Sequence, residues 1–429
     1  MNFDLLHPRD QLVMLMQRVY RYGMTTTSGG NMSIQDENGD IWITPAGVDK
    51  GSLTREDVVL VKRNDEIEGR YRPSSEFPFH KAIYEVRHDL RGIVHAHPSA
   101  LVSFSIVRKI PPTSIIPQAR EICGKVGYAP YALPGSRQLG ESIANAFRQG
   151  NDSILMENHG VVCGGTDLLN AFHRFETLDF CARLAIKASM LGNYKELSDK
   201  QVSLLKHKKN ILPQFEPATL SNREKAIRRQ ITEIVHRAYD QQLMTSTEGV
   251  VSVRLGIDSF LITPTGKDRR LLDVGDIVLI HNRKREREKL PSRSVLLHDR
   301  IYCDHPQIQA IISAQAPSAT AFSVTDYIFD TRTIPESYIL LQDIPKIPYG
   351  PQYLDEEKIS QAIRQNTPVI LIENDAILTT GKSMLEAYDR LEVAEFSARS
   401  LIDANLLGGL VALDDIQAKE LKVKFLNKR

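Results

Sequence analysis

Cysteine is scarce in this chain of 429 residues: Cys123, Cys163, Cys181 and Cys303 are too few and too scattered for a disulfide framework, and no CxxC pair is present. A reducing compartment is therefore expected. An excess of either charge is also missing, with 54 Lys and Arg against 53 Asp and Glu, which argues against a nucleic-acid or anionic-membrane partner and leaves a small molecule. No stretch approaches the roughly 18 to 20 continuous apolar residues that span a bilayer, and the start MNFDLLHPRD lacks a basic segment followed by an apolar one. These absences predict a cytoplasmic protein with no membrane partner.

What the chain does have is length and repetition. Its 429 residues and 42% hydrophobic content suffice for two or three domains. TTTSGGNMSI near residue 25 is echoed by TSTEGVVSV near 245, IWITPAG by FLITPTG, and ILMENHGVVCGG by ILIENDAILTTG. The register holds: Ser33 and Ser252 are 219 apart, Glu76 and Ser294 are 218 apart, and His159 and Asp375 are 216 apart. Each copy opens on an amphipathic helix, with Leu12, Leu15, Met16 and Val19 on one apolar face and Ile227, Ile231, Ile234, Val235 and Ala238 on the other. The polar stretch ELSDKQVSLLKHKKNILPQFEPATLSNRE carries the join, giving expected domains 1–215 and 216–429. Short β-branched runs alternate with helical patterns at Phe79 to Val86 and Ala171 to Met190, so each copy is expected to be a layered α/β domain. The charged run NRKREREK near 285 reads as a solvated hairpin or loop.

In GIVHAHPSA a strand of period two would aim His95 and His97 to one face, and His159 falls at the junction of two later strand patterns. Three imidazoles with a fourth position open make a catalytic zinc site. An isolated HxH pair is more often two ordinary histidines, but the second copy acts as an internal control. There Ser313 stands for His95, Gln315 for His97, Asp375 for His159 and Ser294 for Glu76, while the apolar and turn residues around them are kept. A joint loss of four residues on a retained scaffold points to one functional unit.

The motifs GGNMS, ITPAG, PSSE, HAH, APYA and ENHG, in this order over residues 8 to 195, resemble the class II aldolase/adducin family. The resemblance implies two tandem three-layer α/β/α domains, each with a central mostly antiparallel sheet flanked by helices. It implies a divalent metal, zinc or a similar transition ion, on His95, His97 and His159, with Glu76 as the catalytic acid/base. Gly30, Asn31, Gly47, Ser74 and Ser75 match the family's phosphate-binding elements, whose logic is many N–H and O–H dipoles converging on an oxyanion. One position departs: Ala46 replaces the threonine usual before the glycine of ITPTG, removing a hydroxyl donor. Gly29, Gly30 and Asn31 by themselves would be a turn, and Ser74 and Ser75 helix caps. Tyr131 reads as structural, because Tyr349 survives in the copy that lost the site.

The implied reaction is reversible cleavage of a ketose 1-phosphate to dihydroxyacetone phosphate and an aldehyde. Such a cleavage develops an enediolate, stabilised either by a lysine Schiff base or by a metal, and the histidines favour the metal. Decarboxylase, dehydratase and epimerase relatives are the alternatives, a non-catalytic adducin-like interaction protein is a third kind of reading, and a zinc hydrolase would leave the PSSE and GGN elements unexplained. The resemblance also implies a ring-like assembly, here a homodimer of pseudo-fourfold arrangement, one metal per chain, with Tyr338 of the second copy as a candidate supplied to a neighbour's site.

Overall fold

The short β-branched runs become strands in a computed structural model, which describes residues 3–207, 212–217 and 220–426. The first copy contributes β1 (Asn31–Gln35), β2 (Ile41–Ile43), β3 (Val59–Val61), β4 (Ile67–Glu68), β5 (Gly92–Ala96), β6 (Val126–Ala129), β7 (Ser153–Met156) and β8 (Gly160–Gly165). They form one sheet in the order β4-β3-β2-β1-β5-β8-β7-β6, antiparallel throughout except for the β6–β7 pair. The second copy contributes β9 (Gln214–Phe215), β10 (Val250–Gly256), β11 (Ser259–Ile262), β12 (Val278–His281), β13 (Lys284–Glu286), β14 (Ala310–Ala314), β15 (Lys346–Ile347), β16 (Val369–Ile372) and β17 (Ile377–Gly381). Their order is β15-β16-β17-β14-β10-β11-β12-β13-β9, with parallel pairing at both ends, β15–β16 and β13–β9. Both sheets are thus mixed, with an antiparallel centre.

The chain divides into two compact units. One runs to Thr113 and takes in Gln118–Arg183; the other takes Ser114–Pro117 and Leu184 onward. The expected linker lies partly outside the described residues, at 208–211 and 218–219; the described piece Gln214–Phe215 is itself a strand.

In the first unit the helix Pro8–Arg21 buries Leu12, Leu15, Met16 and Val19 completely, as its periodicity predicts. The helix Phe77–Val86 carries proline in its first turn, where a missing N–H costs nothing. It lays Phe79, Ile83 and Tyr84 on the sheet face formed by Ile43, Val59, Ile93, Ile154 and Val162. A helix that the sequence reading passed over, Arg137–Arg148, completes that cluster with Leu139, Ile143 and Phe147, and starts where Ser136 Oγ accepts the Leu139 N–H. Each such side chain contributes roughly 1.5–3 kcal/mol by leaving water, so this cluster fixes the helix Phe77–Val86, and the residue that precedes it, against the sheet.

The second unit repeats the plan. Ser221 caps the helix Asn222–Asp240, and Val295, Ile301, Ile311, Ile370 and Leu378 form the equivalent cluster. The charged run near 285 forms the β12–β13 hairpin, turning at Asn282 and Arg283 with φ of 48° and 56°. It is not wholly solvated: Glu286 is buried and receives Arg228 Nη2 at 2.8 Å.

Candidate metal centre

Strand register decides which side chains meet. Asn31 lies opposite His95 and Ser33 opposite Ile93 in the β1–β5 pair, so Asn31, Ser33, Ile93 and His95 share the face covered by the helix Phe77–Val86. The strand ends at Ala96, one residue earlier than the HxH motif suggests, yet His97 stays on the same side as His95 with ring centroids 4.7 Å apart. His159 arrives from the turn between β7 and β8, where Asn158 adopts φ 51° and the His159 N–H returns to Met156 O at 3.2 Å. Its ring lies 5.0 Å from that of His97 and 5.1 Å from that of His95. One nitrogen from each of the three falls within 4.8 Å of the others.

Two glycines make this approach possible. A Cβ on Gly160 would stand 2.6 Å from Ala96 O and 2.6 Å from His97 Cδ2, and one on Gly29 would stand 3.0 Å from His97 Nδ1. Neither position tolerates a side chain while His97 holds its place.

Glu76 is the last residue before the helix Phe77–Val86 and is buried. Its Oε2 lies 3.0 Å from His95 Nε2 and accepts Asn31 Nδ2–H at 2.8 Å; its Oε1 lies 3.3 Å from His159 Nε2 and, though buried, has no well-directed hydrogen bond. Behind it runs a chain of polar contacts: Asn31 Oδ1 to His80 Nε2 at 2.5 Å, His80 Nδ1 to Ser33 Oγ at 2.7 Å, and Ser33 Oγ to Tyr84 Oη at 2.9 Å. In the sequence Ser33 marks only the register of the repeat, and His80 and Tyr84 carry no motif. The signal was there, because the same three residue types recur as Ser252, His298 and Tyr302.

The protonation pattern follows from these partners. Val161 O can only accept, so His95 Nδ1 carries a hydrogen and donates to it at 2.9 Å. That leaves His95 Nε2 facing both Glu76 and His97 Nε2, the latter at 3.0 Å. A bare lone pair there would repel both neighbours, so His95 Nε2 calls for a positive charge at that point, its own proton or a cation. Burial works against the charged form of His95, but the Glu76 carboxylate outweighs it and raises the pKa. Burial, then the neighbouring His95, pushes His97 down to about 3 and His159 down to about 4, which keeps both imidazoles neutral near neutral pH. Burial raises the Glu76 carboxyl, yet His95, Asn31 and His159 together hold it well below the usual carboxylate range. Two neutral imidazoles, and a third whose Nε2 calls for a positive charge, converging beside an ionised, partly unsatisfied carboxylate fit a divalent cation.

The phosphate-binding candidates lie on three adjoining segments. Gly30, at φ 72°, precedes Asn31, and Gly47, at φ 69°, closes the turn after β2. Ser74 Oγ accepts the Glu76 N–H at 3.3 Å, and Ser75 is exposed. The Ala46 N–H bonds Arg72 O and the Ser74 N–H bonds Thr44 O, tying the last two segments together. Tyr338 lies in the helix Pro335–Leu341 of the second unit.

The layered domain is present twice, and among the described residues the histidine cluster stands in the first copy. The chain belongs to the family described as Class II Aldolase and Adducin N-terminal domain, which it matches over residues 10–186 and again over 229–402. It is 32% identical over 174 residues to an L-fuculose phosphate aldolase of Methanococcus maripaludis, covering 41% of this chain and 93% of that protein. A 5-deoxy-D-ribulose 1-phosphate aldolase of Bacillus thuringiensis is 32% identical over 47% of this chain and 94% of its own length. A 3-oxo-tetronate 4-phosphate decarboxylase of Haemophilus influenzae is 31% identical over 42% and 87%. Each alignment has the length of one copy. No helix among the described residues is long and apolar enough to cross a membrane.

Proposed function

We propose that the amino-terminal copy is a metal-dependent aldolase that reversibly cleaves a ketose 1-phosphate to dihydroxyacetone phosphate and an aldehyde. The observation that carries this reading is the meeting of three histidine nitrogens with Glu76 at 3.0 and 3.3 Å from two of them. His95, His97 and His159 would hold one divalent ion, zinc by donor type, which when bound supplies Lewis-acid withdrawal of electron density from a substrate carbonyl. Glu76 acts as the acid/base: ionised and buried, it takes a proton from the carbon beside the carbonyl in condensation and returns it in cleavage. Asn31 orients Glu76 through Oε2, leaving Oε1 for that proton. Gly30, Asn31, Gly47, Ser74 and Ser75 surround the phosphate.

Two aldolases among the relatives support carbon–carbon cleavage, and the decarboxylase relative keeps a second reading in view, since loss of carbon dioxide from a 3-oxo acid also develops an enolate that a cation can stabilise. Incubating the metal-loaded protein with dihydroxyacetone phosphate and a panel of aldehydes separates them. Mass spectrometry should find adducts that vanish with a chelator and return with zinc; no adduct with any aldehyde would turn the assignment to the decarboxylase. The proposal extends to a cytoplasmic homodimer of pseudo-fourfold arrangement with one metal per chain, in which Tyr338 of one chain serves the site of the other.

A further inference from the structure

Lys50 is a buried cation with almost nothing to do. Its side chain is 2% exposed, and among the described residues its Nζ has a single hydrogen-bond acceptor, Pro45 O, at 2.6 Å. An ammonium carries three N–H donors, so two are unspent in a place where unspent donors are costly. Asp49 beside it is occupied with Gly51 N at 2.9 Å and Ser52 Oγ at 2.8 Å. Burial alone lowers the Lys50 pKa to about 8, and no acidic group among the described residues offsets it.

The position is as telling as the charge. Pro45 begins the Pro45–Ala46–Gly47 turn, and the Lys50 N–H bonds Thr27 O at 2.9 Å in the loop that leads to Gly29 and Gly30. In that loop Thr25 Oγ1 is buried and has no hydrogen-bond partner, and it lies within 3.1 Å of where a Cβ of Gly29 or Gly30 would be. The second copy shows where a side chain from this position reaches. Arg269, 219 residues on, makes the same backbone bond, to Ser246 O at 2.9 Å, and is equally buried. Its guanidinium spans Gly249 O, the counterpart of Gly30, and Lys267 O in the turn, both at 2.8 Å. In the copy without the metal ligands the cation bridges the two loops with its own donors; in the copy with them it does not.

We propose that Lys50 supplies the positive charge of the phosphate subsite, and so makes the amino-terminal copy select a phosphorylated substrate over its neutral sugar. The inference rests on the phosphate assignment made above and deepens it. The cradle is otherwise built of neutral amides and hydroxyls and has lost one hydroxyl at Ala46. A buried charge beside it compensates, because attraction to a phosphate dianion is strong where water is excluded.

The test is calorimetric binding of inorganic phosphate to the metal-loaded full chain. Lys50→Met should weaken binding about 10- to 100-fold with metal content unchanged, whereas Lys50→Arg should stay within about threefold of the parent protein. Equal affinity in the parent and Lys50→Met overturns the role of Lys50 alone. No phosphate binding by the parent overturns the phosphate cradle and Lys50 with it. Where Lys50→Met does not fold, the 13Cε resonance of Lys50 in the parent decides: movement on adding phosphate supports the proposal, and a fixed resonance overturns it.

Discussion

The two copies share a backbone plan and differ in what they place at the end of it. In both, a serine on the first long strand meets a histidine and a tyrosine from the covering helix: Ser33 with His80 and Tyr84, Ser252 with His298 and Tyr302, at 2.7 to 2.9 Å in each case. In the first copy the chain of contacts runs on through Asn31 to Glu76. In the second the place of Asn31 is taken by Val250, opposite Ser313 in the strand pair just as Asn31 is opposite His95, and valine has no polar group to continue the same chain. The polar triad is therefore common to both scaffolds, and the branch through Asn31 to Glu76 is particular to the first copy. Glycines tell the same story. Ala376 and Glu248 stand where Gly160 and Gly29 make room for His97, and they are admissible because Gln315 has replaced that ring. Asp375 meanwhile accepts Gln352 Nε2–H at 3.1 Å, so the carboxylate at the place of His159 is engaged by a neighbour.

Substitutions at first-copy residues that the second copy lacks test this contrast. The largest effect is expected from Glu76. Glu76→Gln keeps the shape but removes the base, and should lower kcat for cleavage by about 10²- to 10⁴-fold while metal analysis still finds one ion per chain. Retained activity would break the assignment of the acid/base.

His97→Gln copies Gln315. It should lose metal during dialysis, with affinity down by at least about 100-fold and activity following it, because two imidazoles do not hold zinc as three do. Inductively coupled plasma analysis before and after dialysis reads this directly. Undiminished metal content would remove His97 from the ligand set.

Gly160→Ala copies Ala376. The new methyl lies 2.6 Å from a backbone oxygen and from the His97 ring, so something must shift. The expected cost is about 1–3 kcal/mol of stability, with metal binding weakened through displacement of His97. The reverse change, Ala376→Gly, should cost about 1 kcal/mol or less, from chain entropy. Equal melting shifts in the two variants would mean that the tight approach in the first copy is not special.

The sequence carried the repeat, the layered fold and the three histidines with Glu76, because strand alternation and a degenerate internal copy are both visible in one dimension. The helix Arg137–Arg148 was passed over although Leu139, Ile143 and Phe147 recur at helical spacing, since no motif drew attention to it. The need for Gly160 and Gly29 was hidden, because close approach is a property of the turn between β7 and β8 packed against the end of β5. Lys50 was hidden for a similar reason: a lysine in a polar, turn-rich segment reads as a surface residue, and only packing shows that it is buried beside a single carbonyl. The charged run near 285 misled in one respect, since Glu286 turns inward to Arg228.

The smallest effect is the sharpest test of the shared scaffold. Ser33→Ala and Ser252→Ala each delete one hydroxyl from a buried cluster, leaving a histidine nitrogen and a tyrosine hydroxyl to rearrange. Each change should destabilise the chain by about 1–3 kcal/mol, and by similar amounts, as the two clusters have the same geometry. Their catalytic effects should differ. Ser33→Ala releases His80, hence Asn31 and Glu76, and should lower kcat severalfold with KM little changed. Ser252→Ala has no such path and should leave kcat as it was. Chemical denaturation and steady-state kinetics on the two variants separate a hydroxyl that holds the fold from one that also aims the base.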